Sequence, residues 1–211
     1  ISNFSGTFAY NRYRSHDVDY QLNYKHQYKV AFNYSYNMRP KNYQPFKSNK
    51  IKLIKEFNFY LLPASVSFKS EWDRTYKEQQ RRNLSAYNFE LPKTASKWFY
   101  WHRTYSVNYP ISKGLKLSYN ASNDSRLNEP SGVIDKTDED VWREYKREVW
   151  NSAKTFGENM EFNQKWNLTW QVPINKISIL DWTTTNYKYS GSYNWQMGTE
   201  TNDDLDYGNT I

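Results

Sequence analysis

"DYQLNYKHQYKVAFNYSYN", residues 19–37, decides how the rest of the chain is read. From Val18 to Tyr36 every even position except His26 is apolar or aromatic: Val18, Tyr20, Leu22, Tyr24, Tyr28, Val30, Phe32, Tyr34 and Tyr36. The odd positions from Asp17 to Asn37 carry Asp, Gln, Asn, Lys and Ser, with Ala31 the one apolar residue among them. Successive strand side chains point to opposite faces, so this period of two is a β signature and a poor helix. As a single strand the stretch would exceed roughly 60 Å at about 3.4 Å per residue, some three times a common soluble strand. A hairpin is therefore expected. The parity runs unbroken, which fits a three-residue turn at Lys25, His26 and Gln27 between two strands of about eight to ten residues.

Composition sharpens the problem. Of 211 residues, 20 are Tyr, 11 Phe and 9 Trp, an aromatic content of 19%, yet the mean hydropathy is -1.04. Hydropathy scales score Tyr and Trp as polar, and averaging cancels two alternating faces, so the alternation is the better guide. No run of about 18 apolar residues exists, which excludes a transmembrane helix within these residues. The sequence has no Cys, so disulfides and thiolate metal sites are excluded. A net charge of +7 permits anionic partners.

The alternation returns along the chain. Phe4, Gly6, Phe8 and Tyr10 share one parity; Ile51, Leu53, Phe57, Phe59 and Leu61 share another, interrupted by Lys55. After "LPAS", Val66, Phe68, Trp72 and Tyr76 take the opposite parity, so "FNFYLLPASVSFKSEW" is read as two long strands around a Pro-containing turn. Phe99, Trp101, Tyr105, Val107 and Tyr109 lead through "PISKG" to Leu115, Leu117, Tyr119 and Ala121. Phe162, Trp166, Leu168, Trp170 and Val172 lead through "PINKISILD" to Tyr187, Tyr189, Gly191, Tyr193 and Trp195. About nine strands are expected, most of about nine to fourteen residues.

Two stretches break the pattern. Residues 77–93 are polar and basic, with one short strand expected near Tyr87 to Leu91. Residues 123–158 form a long loop insertion in which Val141, Tyr145 and Val149 recur every four residues beside Trp142. A short helix is expected near 138–156, capped by Thr137, with Asp138, Glu139 and Asp140 at its positive end and Gly157 at its stop.

Three homes suit long two-faced strands. A sandwich buries its apolar face, with shorter strands rich in Val and Ile. A soluble carbohydrate-binding sheet exposes aromatic rows for stacking on glycans. An outer-membrane barrel turns its apolar face to lipid and its polar face to a water-filled lumen, with Tyr and Trp girdles at the interfaces. Strand length and aromatic type favour the third: tilted strands cross a bilayer with about nine to eleven residues, and Tyr36, Trp72, Tyr76, Tyr109, Trp170 and Trp195 sit near segment ends. The fold expected is all-β, an antiparallel transmembrane β-barrel segment with one short helix in a long loop.

On this reading the lipid-facing residues are Tyr20, Leu22, Tyr28, Val30, Phe32, Tyr34, Phe57, Phe59, Leu61, Val66, Phe68, Trp72, Trp101, Val107, Leu117, Trp166, Leu168, Trp170, Tyr189 and Tyr193. Asn33, Lys69, Glu71, Asp73, Asn163, Lys165 and Asn167 face the lumen, with Glu161 in the same row. A face that mixes both charge signs with amides wants bulk water, which implies a wide lumen. An odd number of strands closes poorly, and open edges are untenable in lipid, so residues 1–211 are read as part of the wall of a larger barrel.

The runs "NMRPKNYQPFK", "FNFYLLPASVSFKSEWDRTYKEQQRRN", "LNEPSG" and "VPINKISILDW" leading into "YKYSGSYNW" resemble, in that order, the SprA/Sov family. These are the giant outer-membrane translocons of the type IX secretion system of Bacteroidota, linked to gliding motility. The resemblance spans most of residues 17–196, and the ordered succession of "LLP", "EP" and "PINK" is more specific than any one element. It implies a very large single-chain barrel that passes folded cargo across the cell outer membrane, with a lateral opening engaged by a PorV-type shuttle or closed by a plug protein. The chain covers a minority of such a translocon and would be a fragment of it. A porin or nutrient-receptor barrel fragment and the soluble glycan-binding sheet are the alternatives.

Enzymatic signals are absent from the sequence. His16 with Asp17 and Asp19 is the nearest approach to a metal cluster, but neighbours on a strand diverge, and a solvated turn is expected. His26 and His102 have no second ligand in view. "NDDLDYG", residues 202–208, spaces Asn202, Asp204 and Asp206 like a calcium loop, but its glycine comes one residue late and no twelfth-position Glu follows, so an acidic loop is expected. Trp142, Tyr145 and Val149 in "EDVWREYKREVW" offer a partner-docking face or an ordered lid. The basic "KEQQRR" reads as a solvated loop or a contact to lipopolysaccharide phosphates, so outer-membrane lipid is an expected partner and nucleic acid is not. The turn at Leu61, Leu62, Pro63 and Ala64 needs only Pro to fix it. Short turns are assigned to the periplasm and long ones to the cell surface, which places the helix outside. No catalytic residue and no cofactor is expected.

Overall fold

The computed structural model describes residues 3–48, 50–85, 89–177 and 179–198, together with the backbone of 209–210. Seven long strands dominate: β1 (Phe4–Ser15), β2 (Tyr20–Asn37), β5 (Ser65–Arg81), β6 (Thr94–Pro110), β7 (Leu115–Arg126), β8 (Glu158–Val172) and β9 (Thr185–Gln196). The two-residue strands β3 (Asn42–Tyr43) and β4 (Phe59–Tyr60) pair with each other, and β10 (Asn209–Thr210) pairs with β9. Helix α1 spans Lys52–Lys55, and helix α2 spans Glu139–Lys154. All pairings are antiparallel, in the order β1-β2-β5-β6-β7-β8-β9-β10, so the protein is all-β with β1 and β10 at opposite margins.

The expected hairpin within residues 19–37 is not formed. β2 is one strand of 18 residues, bonded to β1 on one side and β5 on the other. Lys25, His26 and Gln27 offer none of the Gly, Asn or Asp residues that accept the positive φ of a tight turn. His26 continues the aromatic row: its Nδ1 is 2.7 Å from the Tyr10 hydroxyl, and its ring stands edge-on to Tyr24 at 4.0 Å.

The segment before "LLPAS" differs as well. Residues 52–55 form one helical turn and only Phe59 and Tyr60 are extended, so a long first arm is absent. Ile51, Leu53 and Ile54 also fit helical spacing, an ambiguity inherent in short apolar runs. β5 then runs four residues past the expected break at Lys77, so most of "KEQQRR" is strand. Gln80 is buried there, donating to the Leu91 carbonyl at 3.0 Å. No strand occurs at 89–91, and Tyr87 lies outside the described residues. The acidic run 202–208 also lies outside them.

Helix α2 falls where expected, but Asp138 is its cap, accepting from the Asp140 and Val141 amides at 2.9 and 3.2 Å. Thr137 instead donates to Asp135. The helix stops at Phe156 and Gly157, with φ of 63° and 72°. Loop length does not distinguish the two ends of the sheet. One end carries the short turn between β1 and β2 and the long insertion 127–157; the other carries the turn 111–114 and the long connection 38–64.

Candidate functional site: a two-faced wall with one covered end

The register sorts the side chains. Tyr34 pairs with Phe4 and Phe68, Phe68 with Tyr105, and Tyr105 with Ala121. Ala121 pairs with Gln164 and Gln164 with Tyr193, so one row crosses all seven strands. Leu22, Tyr28, Val30, Phe32, Tyr34, Val66, Phe68, Trp72, Trp101, Val107, Leu117, Trp166, Leu168, Trp170, Tyr189 and Tyr193 all share this face. Asn33, Lys69, Glu71, Asp73, Asn163, Lys165 and Asn167 share the other.

Four residues depart from their expected place. Tyr20 pairs with Arg81 across a register slip that takes it out of the row. Phe57, Phe59 and Leu61 are not in the large sheet at all: they belong to the 38–64 connection, for the reason given by the α1 turn. There Phe57 and Phe59, with Leu53, Ile111 and Trp170, line a cavity of about 710 Å³. Lys176 clamps this end through Glu56 at 2.5 Å and holds the Glu56 carboxyl below its usual range.

The apolar face is built from cross-strand rings. Phe68 and Tyr105 lie 5.2 Å apart, Trp72 and Trp101 stack at 5.6 Å, and Tyr10 and Tyr28 sit at 4.9 Å. These spacings suit aromatic pairs. Among the described residues no second layer packs over the middle of it: Phe8 is 68% exposed and Phe32 is 37% exposed. On β2 the apolar stretch runs from Tyr28 to Tyr36, while on β6 Arg103 interrupts the row and the stretch runs from Tyr105 to Tyr109. On β2 that is about nine residues, roughly 30 Å along the strand and roughly 23 Å in height for a tilt of about 40°.

The opposite face is charged. Lys29 reaches Asp73 at 3.0 Å and Glu71 at 3.8 Å, and Lys69 reaches Glu71 at 2.9 Å. His102 meets Asp124 at 2.8 Å on the same face. The lysines of these pairs are half exposed and their carboxylates less so, so solvent screens the pairs and they hold long side chains in place more than they stabilise the fold.

Beyond the apolar stretch, the same face turns polar and is covered. Residues 127–157 fold back over it, and Leu127, whose amide donates to the Phe99 carbonyl at 2.8 Å, is buried. Arg74 meets Glu129 with two hydrogen bonds, 2.5 and 2.9 Å, and donates to the Tyr145 hydroxyl at 2.7 Å. The Tyr145 hydroxyl also donates to Glu129. Burial, and then that bond to the carboxylate, hold the Tyr145 phenol well above its ordinary value. Lys97 donates to the Pro130 carbonyl at 2.6 Å. Arg103 lies beside the ring pair of Trp101 and Phe156, 4.6 and 5.3 Å from their centroids, and donates to Ser125 at 2.5 Å and to Asn123. Phe156 also stacks on Trp101, so this one Trp of the apolar row is covered by the chain itself.

No family model matches the chain. The search of curated proteins likewise finds no match.

Trp142, Tyr145 and Val149 line the space between α2 and the sheet, the arrangement of the ordered lid that the sequence offered beside a partner-docking face. Their four-residue spacing marks a buried stripe, and a stripe on an insertion closes first on its own sheet. The metal-like cluster of His16, Asp17 and Asp19 is a turn: Asp17 Oδ1 accepts from the Asp19 and Tyr20 amides at 2.9 and 2.7 Å. Among the described residues no three His, Cys, Asp or Glu are placed to hold a metal ion. Arg74, Glu129 and Arg103 were not singled out by sequence reasoning. Their signal was present as breaks in alternation, with Arg74 between Trp72 and Tyr76, and Arg103 between Trp101 and Tyr105.

Proposed function

We propose that this chain is a stretch of the wall of a large outer-membrane β-barrel, with the row of Val30, Phe32, Phe68 and Leu168 against lipid and that of Lys69, Glu71, Asp73 and Lys165 against a wide aqueous conduit. The whole protein then conducts folded cargo across the outer membrane as a type IX secretion translocon, without enzymatic chemistry or a cofactor. One observation carries the reading: a sheet whose apolar face, about 23 Å tall on β2 and close to the roughly 25 Å apolar band of such barrels, has no second layer over its middle among the described residues. A soluble domain packs that face against a second layer. The outer edge of β1 and most of that of β9 have no strand partner among the described residues, so in lipid the wall must continue in other strands. The narrower assignment rests on the resemblance of the ordered "LLP", "EP" and "PINK" elements, and with it come a PorV-type shuttle and a plug as partners.

The test is photo-crosslinking in cells. A crosslinker replacing Lys69 or Asn163 in the full-length protein should capture secreted proteins in transit, and one replacing Val30 or Leu168 should capture none. Capture of small solutes or of no protein at all from the charged face would leave a porin or receptor wall. A soluble full-length protein would overturn the barrel itself.

A further inference from the structure

Between α2 and the end of the sheet lies a cavity of about 480 Å³. Tyr24, His26 and Tyr28 on β2 form one wall, and Trp142, Tyr145 and Lys136 form another. Its charges are unevenly compensated. Arg74 is neutralised by Glu129, and Glu78 faces Lys93 at 3.3 Å. Lys136 and Lys146 each lie 5.4 Å from the Trp142 ring, and Arg12 lies 5.3 Å from the Tyr24 ring at the rim. Among the described residues none of these three cations has a carboxylate within ion-pair distance. The site therefore joins flat aromatic walls to an excess of positive charge.

Flat rings stack on the C–H faces of sugars, and unpaired cations at an aromatic rim select phosphate. Tyr28 of the apolar row also lines this cavity, so a lipid lying on that face would bring its headgroup beside it. We infer that this cavity binds a phosphorylated sugar, as carried by the headgroup of a glycolipid, with Arg12 and Lys136 leaving the Tyr24 and Trp142 rings to pair with phosphate and the sugar taking their place against those rings. The lipid source rests on the proposed lipid-facing side of the wall; the sugar-phosphate chemistry does not.

Full-length protein, extracted in detergent and stripped of lipid, is titrated with bisphosphorylated lipid A, with its deacylated disaccharide and with its dephosphorylated form. The wild type should bind the first most tightly. Replacing both exposed cations (Arg12→Gln with Lys136→Gln) should weaken it by about tenfold or more, as should removing the phosphates, given what charge-assisted contacts contribute. Trp142→Ala should weaken the acylated and deacylated forms alike, with hydrogen exchange at Arg74 and Glu129 reporting whether α2 stays seated. Equal binding by wild type and the double-cation variant, or no preference for phosphate, overturns the site even if the protein fractionates with the outer membrane. Tight, phosphate-dependent binding of the deacylated disaccharide by a protein that fractionates as soluble would support the site and sink the membrane reading.

Discussion

Removing Glu129 should unseat the covered end of the sheet. Its side chain is 2% exposed, and it accepts both Arg74 hydrogen bonds and that of Tyr145. Glu129→Ala leaves the Arg74 guanidinium without a counter-ion, and stripping one partner from a buried pair costs about 3–5 kcal/mol. The Arg74 side chain keeps 22% exposure, so partial solvation lowers the expected loss to about 2–3 kcal/mol. A 16-residue helix is marginal once detached, so the loss is read as faster amide exchange across Glu139–Lys154, by about 30- to 150-fold at about 1.4 kcal/mol per decade. The assay is hydrogen exchange by mass spectrometry on the full-length protein. Arg74→Met combined with Glu129→Leu should recover much of the protection, because no charge is then left unpaired. Wild-type exchange in Glu129→Ala, or strictly additive effects of the two single variants, would refute the idea that this pair holds the insertion down.

Further expectations follow from the backbone and from titration. A Cβ at Gly191 would lie 2.4 Å from the Trp166 indole, so Gly191→Ala should displace that ring and cost about 1–3 kcal/mol, seen as local loss of exchange protection in β8 and β9. Gly157 has φ +72°, and a Cβ there would meet the Arg126 carbonyl at 2.7 Å; Gly157→Ala should cost more than about 1 kcal/mol and expose 127–157 to protease. Asp138→Ala should cost α2 about 1 kcal/mol of capping, measurable by the same exchange. The Tyr145 phenol is raised when folded. Its contribution is therefore complete below the free-tyrosine value of 10.0 and is lost as pH rises through the higher folded value. As pH rises above 10.0, the protection of α2, corrected for the base catalysis of exchange itself, should fall in the wild type and stay level in Tyr145→Phe.

How much of this was legible in the sequence depended on which physical rule set the local structure. Where one face stays uniform, parity alone assigned it: sixteen of the twenty residues expected on the apolar face occupy one continuous row, and all seven expected opposite them occupy the other. The error at His26 came from treating a soluble strand length as a limit. Between two neighbouring strands a long strand has most of its backbone groups paired, so 18 residues need no turn. The error at Ile51–Leu61 came from a short apolar run that serves either period. The covered end was hidden because its decisive contacts are long-range: Arg74 and Glu129 are 55 residues apart. Breaks in alternation at Arg74 and Arg103 marked the place without naming the partner, and the α2 stripe of Trp142, Tyr145 and Val149 marked a buried face without saying against what.

The most direct test places single cysteines at neighbouring positions on opposite faces, Phe32→Cys against Asn33→Cys on β2 and Leu168→Cys against Asn167→Cys on β8, since this sequence has no cysteine of its own. Each variant of the full-length protein is labelled in intact outer membranes with a charged, water-soluble maleimide, and separately with a fluorophore read for quenching by brominated acyl chains. The account predicts maleimide labelling at positions 33 and 167 and acyl-chain quenching at positions 32 and 168. Equal maleimide labelling within each pair, with no quenching at 32 or 168, would contradict a wall between lipid and water.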